Sequence, residues 1–301
     1  MSNKPTLKTI LQHPRLAFLP LFNGKHLRWL PDRYYLRFEY LIITGHILHL
    51  NNPVTFNEKI QYLKVNDRRE IYSYLADKLT ARKFVTETIG DKYLVPLLGA
   101  WDDAGEIDFD ALPDRFALKC THGYGDMVLC QDKTTLDIPA ARNTLNASLK
   151  EDFFYRGREW AYSNTHPKIM AEQFIDDGGR RPADYKFMCF NGTVKYICIS
   201  RSLGDTDGCV SFYNSDGTRA PFKRVDYPEC PGADVLPRHI DEMKALAETL
   251  AKRADVPFVR VDFYEAGGRI YFSEFTFYPC GGTMFFDPPE YDEKMGKELQ
   301  L

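Results

Sequence analysis

No CxxC pair and no Cys/His ligand spacing occur among the seven cysteines (Cys120, Cys130, Cys189, Cys198, Cys209, Cys230 and Cys280). An odd, scattered set of this kind argues against a zinc site or a disulfide framework, and predicts buried, reduced thiols. The longest apolar run, LIITGHILHL from Leu41 to Leu50, carries His46 and His49 and is too short to span a bilayer, so no transmembrane segment is expected. The opening MSNKPTLKTILQHPRLAF lacks a continuous apolar core ahead of a small-residue cleavage site, which predicts a cytoplasmic protein. Charge of one sign is also missing: a net charge of −3 gives no reason to expect a nucleic-acid partner. Absent too are a GxxxxGK[ST] phosphate loop, a Ser/His/Asp or Cys/His arrangement, internal repeats and low-complexity linkers.

The 301 residues, 44% hydrophobic and 14% aromatic, suffice for two or three packed units. From Pro31 to Gly90 apolar residues recur at helical spacing, as in Phe56, Ile60, Leu63 and Leu75, Leu79. Thr55 with Glu58 reads as a capping box, and ADKLTARKFVTETIG stops at Gly90. After LVPLLGAWDD the character changes to short β-like runs, RFALKC, MVLC and KIMAEQFI, with a helix IPAARNTLNASLKEDFF before the third. A hairpin turning at Asn191-Gly192, a short hairpin SFYNSDGTRAPF, and a helix HIDEMKALAETLAKRA follow. The class is α+β, built on antiparallel hairpins, with expected units at 1–94 (helical), 95–190 and 191–301. Residues 1–43 hold Lys4, Lys8, Arg15, Lys25, Arg28, Arg33 and Arg37 against Asp32 and Glu39. That bias suits either a solvated helical face or peripheral contact with the inner face of a membrane.

Chemistry concentrates in PFVRVDFYEAGGRIYFSEFTFYP, from Pro257 to Pro279, which reads as a hairpin interrupted by Asp262 and Glu274. With a three-residue loop, Gly267-Gly268-Arg269, the two acids lie directly opposite and Thr276 points to the same face. Two carboxylates and a hydroxyl then suit Mg²⁺. A two-residue loop puts the acids on opposite faces, and a plainer reading pairs them with Arg260 or Arg269. Upstream, RFALKCTHGYGDMVLC joins two strands through Gly123 and Gly125, where backbone N–H groups can approach phosphate, with Lys119 as a point charge. His122 in that loop reads as solvent-facing. Glu172-Gln173 followed by Phe174-Ile175 offers, at an open strand edge, the donor, acceptor and apolar walls an adenine needs. FFYRGREWAY offers Arg156 and Arg158 to clamp a carboxylate and Trp160 to stack on a sugar ring, and Gly281-Gly282 in PCGGTMFF permits close substrate approach.

Taken in order, Asp77-Lys78, Lys119 and its glycine loop, Glu172-Gln173-Phe174-Ile175, Asp184-Tyr185-Lys186 and Asp262…Glu274…Thr276 resemble the ATP-grasp superfamily. The phrases FNEKIQYLK, ALKCTHGYGD, FYRGREWAY, DYKFMCFNG and VDFYEAGGRIYFSEFTFYP resemble its TupA-like subgroup, associated with bacterial surface-polymer biosynthesis. The resemblance implies two α+β subdomains with antiparallel sheets holding ATP between them. It implies phosphate contacts from Lys78, Lys119 and the Gly123–Gly125 loop, and adenine contacts at Glu172, Gln173, Phe174 and Ile175. Asp184 stands where a ribose-binding acid is common. Lys186, Arg201 and Arg260 would be the catalytic cations, and Asp262, Glu274 and Thr276 the Mg²⁺ ligands, with Thr276 replacing the usual Asn. The implied reaction joins an amine or amino acid to a carboxylate, such as a uronic acid of a surface polysaccharide, through an acyl phosphate. Two rivals remain: phosphoryl transfer to a sugar hydroxyl, and a metal-dependent glycosyltransferase using Asp205-Thr206-Asp207.

Overall fold

A computed structural model describes residues 11–22, 25–123, 125, 127–163, 165–178, 182–203, 207–232 and 236–301. The helical run appears as α1 (Asp32–Thr44), α2 (Phe56–Asn66), α3 (Glu70–Ala76) and α4 (Lys78–Ile89). Local chemistry sets its boundaries. The Thr55 hydroxyl accepts from the Glu58 N–H while the Glu58 carboxylate accepts from the Thr55 N–H, the reciprocal capping box expected. Asp77 caps α4 by accepting from the N–H groups of Leu79 and Thr80 at 2.9 and 3.0 Å, and Gly90, at φ +96°, ends it. Among the described residues no helix is long and apolar enough to cross a membrane.

Two antiparallel sheets follow. The first comprises β1 (Leu97–Trp101), β2 (Phe116–Cys120), β3 (Met127–Cys130) and β4 (Ile169–Gln173), in the order β1-β4-β2-β3. Helix α5 (Ile138–Leu149) covers it, placing Leu145 in a core with Phe116, Leu118 and Ile169. The second has β5 (Asp184–Phe190), β6 (Thr193–Arg201) and β7 (Cys209–Asn214), then β9 (Phe258–Ala266) and β10 (Arg269–Thr276), in the order β10-β9-β5-β6-β7. A short β8 (Lys223–Arg224) pairs with β11 (Phe286–Asp287), α6 (Ile240–Ala254) packs on the second sheet, and α7 (Tyr291–Glu298) closes the chain on α2. The Asn191-Gly192 turn takes φ +47° and +82°, as a two-residue hairpin requires.

Three expectations need correction. The change of sheet falls between Gln173 and Asp184, so β5 belongs to the second sheet and not to a unit ending at 190. The helices before residue 94 do not form a separate unit either. Phe56, Ile60, Tyr72 and Phe84 share one core with Phe190, Phe258 and Phe277; Phe56 meets Phe258 at 5.0 Å and Tyr72 meets Phe277 at 4.8 Å. Only the Phe22–Leu50 stretch has its own small cluster, around Tyr35, Leu36 and Tyr40.

The third concerns the cysteines. Cys209 and Cys230 are joined by a disulfide across 21 residues, and Cys280 is exposed, whereas Cys120, Cys130, Cys189 and Cys198 are the buried thiols foreseen. Spacing could not reveal the pair, because the contact is made in three dimensions. The Val210 N–H donates to the Pro228 carbonyl and the Cys230 N–H to the Ser211 hydroxyl, which lays the later loop along β7. Thiol titration of the denatured, unreduced protein should therefore count five free cysteines. A count of seven would show the bond does not form in solution.

Candidate active site

The hairpin β9–β10 turns through Gly267 and Gly268, at φ +56° and +73°, with Ala266 opposite Arg269. This is the two-residue loop, which by alternation alone would separate the two acids. A β-bulge between Phe272 and Glu274 corrects the register by one residue, leaving Ser273 without an opposite partner. Asp262 then stands opposite Glu274, and Arg260 opposite Thr276. Of the two loops the sequence allowed, the two-residue one forms, yet the acids share a face. The reason lies in packing. Phe272 and Phe275 are both buried, three residues apart, with ring centroids at 4.8 Å, and the bulge between them brings both rings to one face, opposite Phe263 and Val261.

Asp262 is 1% exposed and fully engaged. Arg260 donates Nε and Nη2 to its two oxygens at 2.8 and 2.6 Å, and Nη2 also donates to the Thr276 hydroxyl at 2.9 Å. From β5, Lys186 reaches Asp262 at 3.4 Å and Asp184 at 3.2 Å, and the Ser200 hydroxyl donates to Asp184 at 3.3 Å. Burial alone would raise the Asp262 pKa, but Arg260 and Lys186 overcome it and hold the carboxyl below its ordinary range. Burial likewise opposes the charge on Lys186, which Asp262 and Asp184 nevertheless hold above its ordinary value. Glu274 is more open, its side chain 34% exposed, with Arg260 at 3.8 Å and Lys78 at 4.0 Å.

Lys78 joins this cluster to the first sheet. It opens α4, its N–H donates to the Thr121 carbonyl at 2.9 Å, and its Nζ donates to the Gly123 carbonyl at 2.8 Å. Burial pushes its pKa down, opposed by Glu274 and reinforced by Lys119. One turn along α4, Arg82 reaches Glu172 at 2.9 Å, and Lys119 reaches the other oxygen of the same carboxylate at 2.6 Å. The Glu172 carboxylate thus bridges two cations. Strand β4 is not an open edge, since it pairs with β1 and β2 through Gln173, whose N–H donates to the Pro96 carbonyl at 3.0 Å. Beyond that point Phe174 and Ile175 leave the ladder, and the Arg115 guanidinium stacks over Phe174 at 4.1 Å.

Gly123 and Gly125 take φ +67° and +111°, and a Cβ at Gly123 would strike the Phe153 ring at 2.3 Å. Tyr124 and Asp126 lie outside the described residues. His122 is not solvent-facing: it is buried edge-on to Phe153, with Nε2 3.1 Å from the Glu151 carbonyl.

Other residues singled out are occupied elsewhere. Arg156 pairs with Glu151 at 2.7 Å on the surface. Arg158 is 2% exposed, donates to the carbonyls of Leu27 and Leu30, and stacks on Tyr35 and Tyr155. It anchors the chain before α1 and is not free to clamp a ligand. Trp160 packs against the main core under the Arg68 guanidinium at 4.9 Å. Gly281 and Gly282 dock on α2, their carbonyls accepting from Gln61, and a Cβ on Gly282 would meet Ile60 at 2.9 Å. Arg201 ends β6 beside Tyr185. Asp205 and Thr206 lie outside the described residues.

Sequence reading missed Arg82, although its i+4 spacing from Lys78 was a usable signal. It also missed Lys64, which is fully buried and donates to the carbonyls of Gly157 and Gly281 at 2.9 and 2.7 Å. A Cβ placed on Gly157 would lie 3.7 Å from Lys64 Nζ, 3.8 Å from Glu159 Oε1 and 3.9 Å from Glu39 Oε2, so the three charges share one space. Burial pushes the Glu159 pKa up to about 7, and lowers that of Lys64.

Among the described residues no three or more His, Cys, Asp or Glu side chains converge as a metal cage. Two carboxylates and a hydroxyl on one hairpin face do fit Mg²⁺ held jointly with phosphate oxygens and water, which is its usual habit.

The sequence family described as TupA-like ATPgrasp matches residues 58–300. No curated protein matches. Among solved structures the chain is similar to D-cycloserine synthetase DcsG at TM-score 0.41 and 14% identity, covering 68% of this chain and 62% of that one. It is similar to the ATP complex of D-alanine–D-alanine ligase from Bacillus anthracis at 0.41 and 14%, covering 67% and 53%. The Helicobacter pylori enzyme gives 0.43 and 11%, covering 75% and 61%. The chain thus spans less than two thirds of each of these structures.

Proposed function

The chain belongs to the TupA-like ATP-grasp family, and from that premise we propose that it is an ATP- and Mg²⁺-dependent carboxylate–amine ligase acting in the cytoplasm. The observation that carries the reading is the position of Lys78, between the Gly123 carbonyl of the glycine loop and the Glu274 carboxylate of the bulged hairpin. The glycine loop and the bulged hairpin, read here as the phosphate and metal elements, both reach that side chain.

In this reading Lys78 and Lys119 neutralise ATP phosphates beneath the Gly123–Gly125 loop. The backbone of Gln173 and Ile175 and the Phe174 ring receive adenine where β4 leaves its ladder, and Asp184 meets the ribose. Glu172 acts chiefly by holding Lys119 and Arg82 in place. Glu274, Asp262 and Thr276 would hold Mg²⁺, which supplies charge neutralisation on the phosphates when bound. Arg260, Lys186 and Arg201 offset charge on the transferred phosphoryl group. A substrate carboxylate oxygen attacks the γ-phosphorus and ADP leaves. An amine then attacks the acyl carbon and phosphate departs, carrying the acyl C–O electron pair. Such chemistry asks for positioning and fixed positive charge, not for a protein nucleophile. The family's setting makes a uronic-acid carboxylate of a surface polysaccharide, or its precursor, with an amino acid or simple amine, the substrates to try.

Thermal unfolding with Mg-ATP tests the site. At roughly 100 times its dissociation constant a ligand adds about 2.7 kcal/mol, which for a chain of this size raises the midpoint by about 4 °C. Mg-ATP and Mg-ADP should each do so. Stabilisation by Mn²⁺ with nucleotide sugars alone would favour the glycosyltransferase. ADP release driven by a sugar without any amine would favour the phosphotransferase.

A further inference from the structure

We propose that α1 and the segment before it form a docking surface for an anionic lipid bilayer, independently of whether the ligase reading holds. Tyr34, Phe38 and Leu41 fall along one side of α1 and are 54%, 54% and 40% exposed, while Tyr35, Leu36 and Tyr40 on the other side are buried. A helix on a protein surface ordinarily turns polar residues outward; this one is apolar on both sides. The outer stripe continues to Ile47, 70% exposed, which lines a groove with Arg37, Phe38 and Leu41. In the preceding segment Phe18 and Trp29 are 56% and 77% exposed. Among the described residues nothing covers this stripe.

Charge identifies the partner. The same stretch carries Arg15, Lys25, Arg28, Arg33 and Arg37 against Asp32 and Glu39. Both acids are engaged: Asp32 with Arg68 and Arg158, and Glu39 with the Tyr35 hydroxyl at 3.2 Å. Among the described residues Arg33 and Arg37 meet no carboxylate. Large exposed rings interleaved with guanidinium groups match the boundary between lipid phosphates and acyl chains. A second copy of the chain is a poor match, because a face presented to itself would oppose like charges.

The test is co-sedimentation of the full chain with vesicles of phosphatidylcholine, with and without about 30% phosphatidylglycerol. Binding should require the anionic lipid and fall as salt rises from about 0.1 to about 1 M, where screening shortens from roughly 10 to 3 Å. Phe38→Ser and Arg37→Glu, both on the surface, should each weaken it by about tenfold with unchanged thermal midpoints. Failure to bind anionic vesicles, or binding by both variants as tight as the parent's, overturns the proposal. So does a dimer in sedimentation velocity that Phe38→Ser dissolves, which would assign the face to a second copy.

Discussion

Glu274→Gln is expected to lower ATP-dependent turnover by about a hundredfold or more, with the thermal midpoint unchanged. Its carboxylate is partly solvated, and its cations stand at 3.8 and 4.0 Å, beyond hydrogen-bond contact, so little of the fold depends on it. Asp262→Asn should cost as much activity but behave differently in stability. It removes the anion between Arg260 and Lys186, both largely buried, and breaking such a pair typically costs about 3–5 kcal/mol. Coupled ADP-release assays and urea unfolding of the two variants check both halves. Normal turnover in Glu274→Gln would remove the hairpin from the metal site. An Asp262→Asn protein as stable as the parent would mean the buried pair carries no structural load.

Lys64→Met should destabilise the fold by about 3–5 kcal/mol, since it leaves Glu159 and Glu39 without the cation they share. The pH dependence makes the assignment specific. The folded-state pKa of Glu159 is raised to about 7 from an ordinary 4.5, so its contribution is fully present below about 4.5 and is lost as pH rises through about 7. Removing Lys64 takes away an interaction that lowers the pKa of both carboxyls. The variant should therefore lose more stability at about pH 8 than at about pH 5.5, where Glu159 is largely protonated in the folded state. Urea titrations at the two pH values suffice. A loss that is the same at both would assign the effect to packing of the lysine stem and its two carbonyl contacts.

This cluster also explains why two attractive sequence motifs had other uses. FFYRGREWAY and PCGG looked like acceptor contacts because arginine, tryptophan and paired glycines are what ligand sites often contain. In the fold, Gly157 and Gly281 present carbonyls to Lys64, and Arg158 is spent on Leu27 and Leu30. Residue type and spacing cannot distinguish a side chain that binds a ligand from one that satisfies a buried carbonyl.

Elements set by nearest neighbours were legible. The Thr55–Glu58 capping box, the Gly90 stop and the Asn191-Gly192 turn each rest on residues a few positions apart, and each forms as read. The hairpin carrying Asp262 and Glu274 was legible in outline, but its turn was left open between two loops and its bulge was not foreseen. The missing signal was present in Phe272-Ser273-Glu274-Phe275, where two aromatics three apart break the alternation of a regular strand. The Cys209–Cys230 bond, the sharing of one core by α2–α4 and the second sheet, and the use of Glu172 as a bridge between Lys119 and Arg82 were not legible at all.

By itself the sequence determined the α+β class, the antiparallel hairpins and the family, because these follow from short-range patterning and conformational preference. Only the tertiary structure decided which cation meets which acid, which glycines carry carbonyls to a buried lysine, and that Lys78 joins two sheets. Those pairings link residues far apart in the chain, and they depend on how two sheets and a helix start are placed when the apolar core closes.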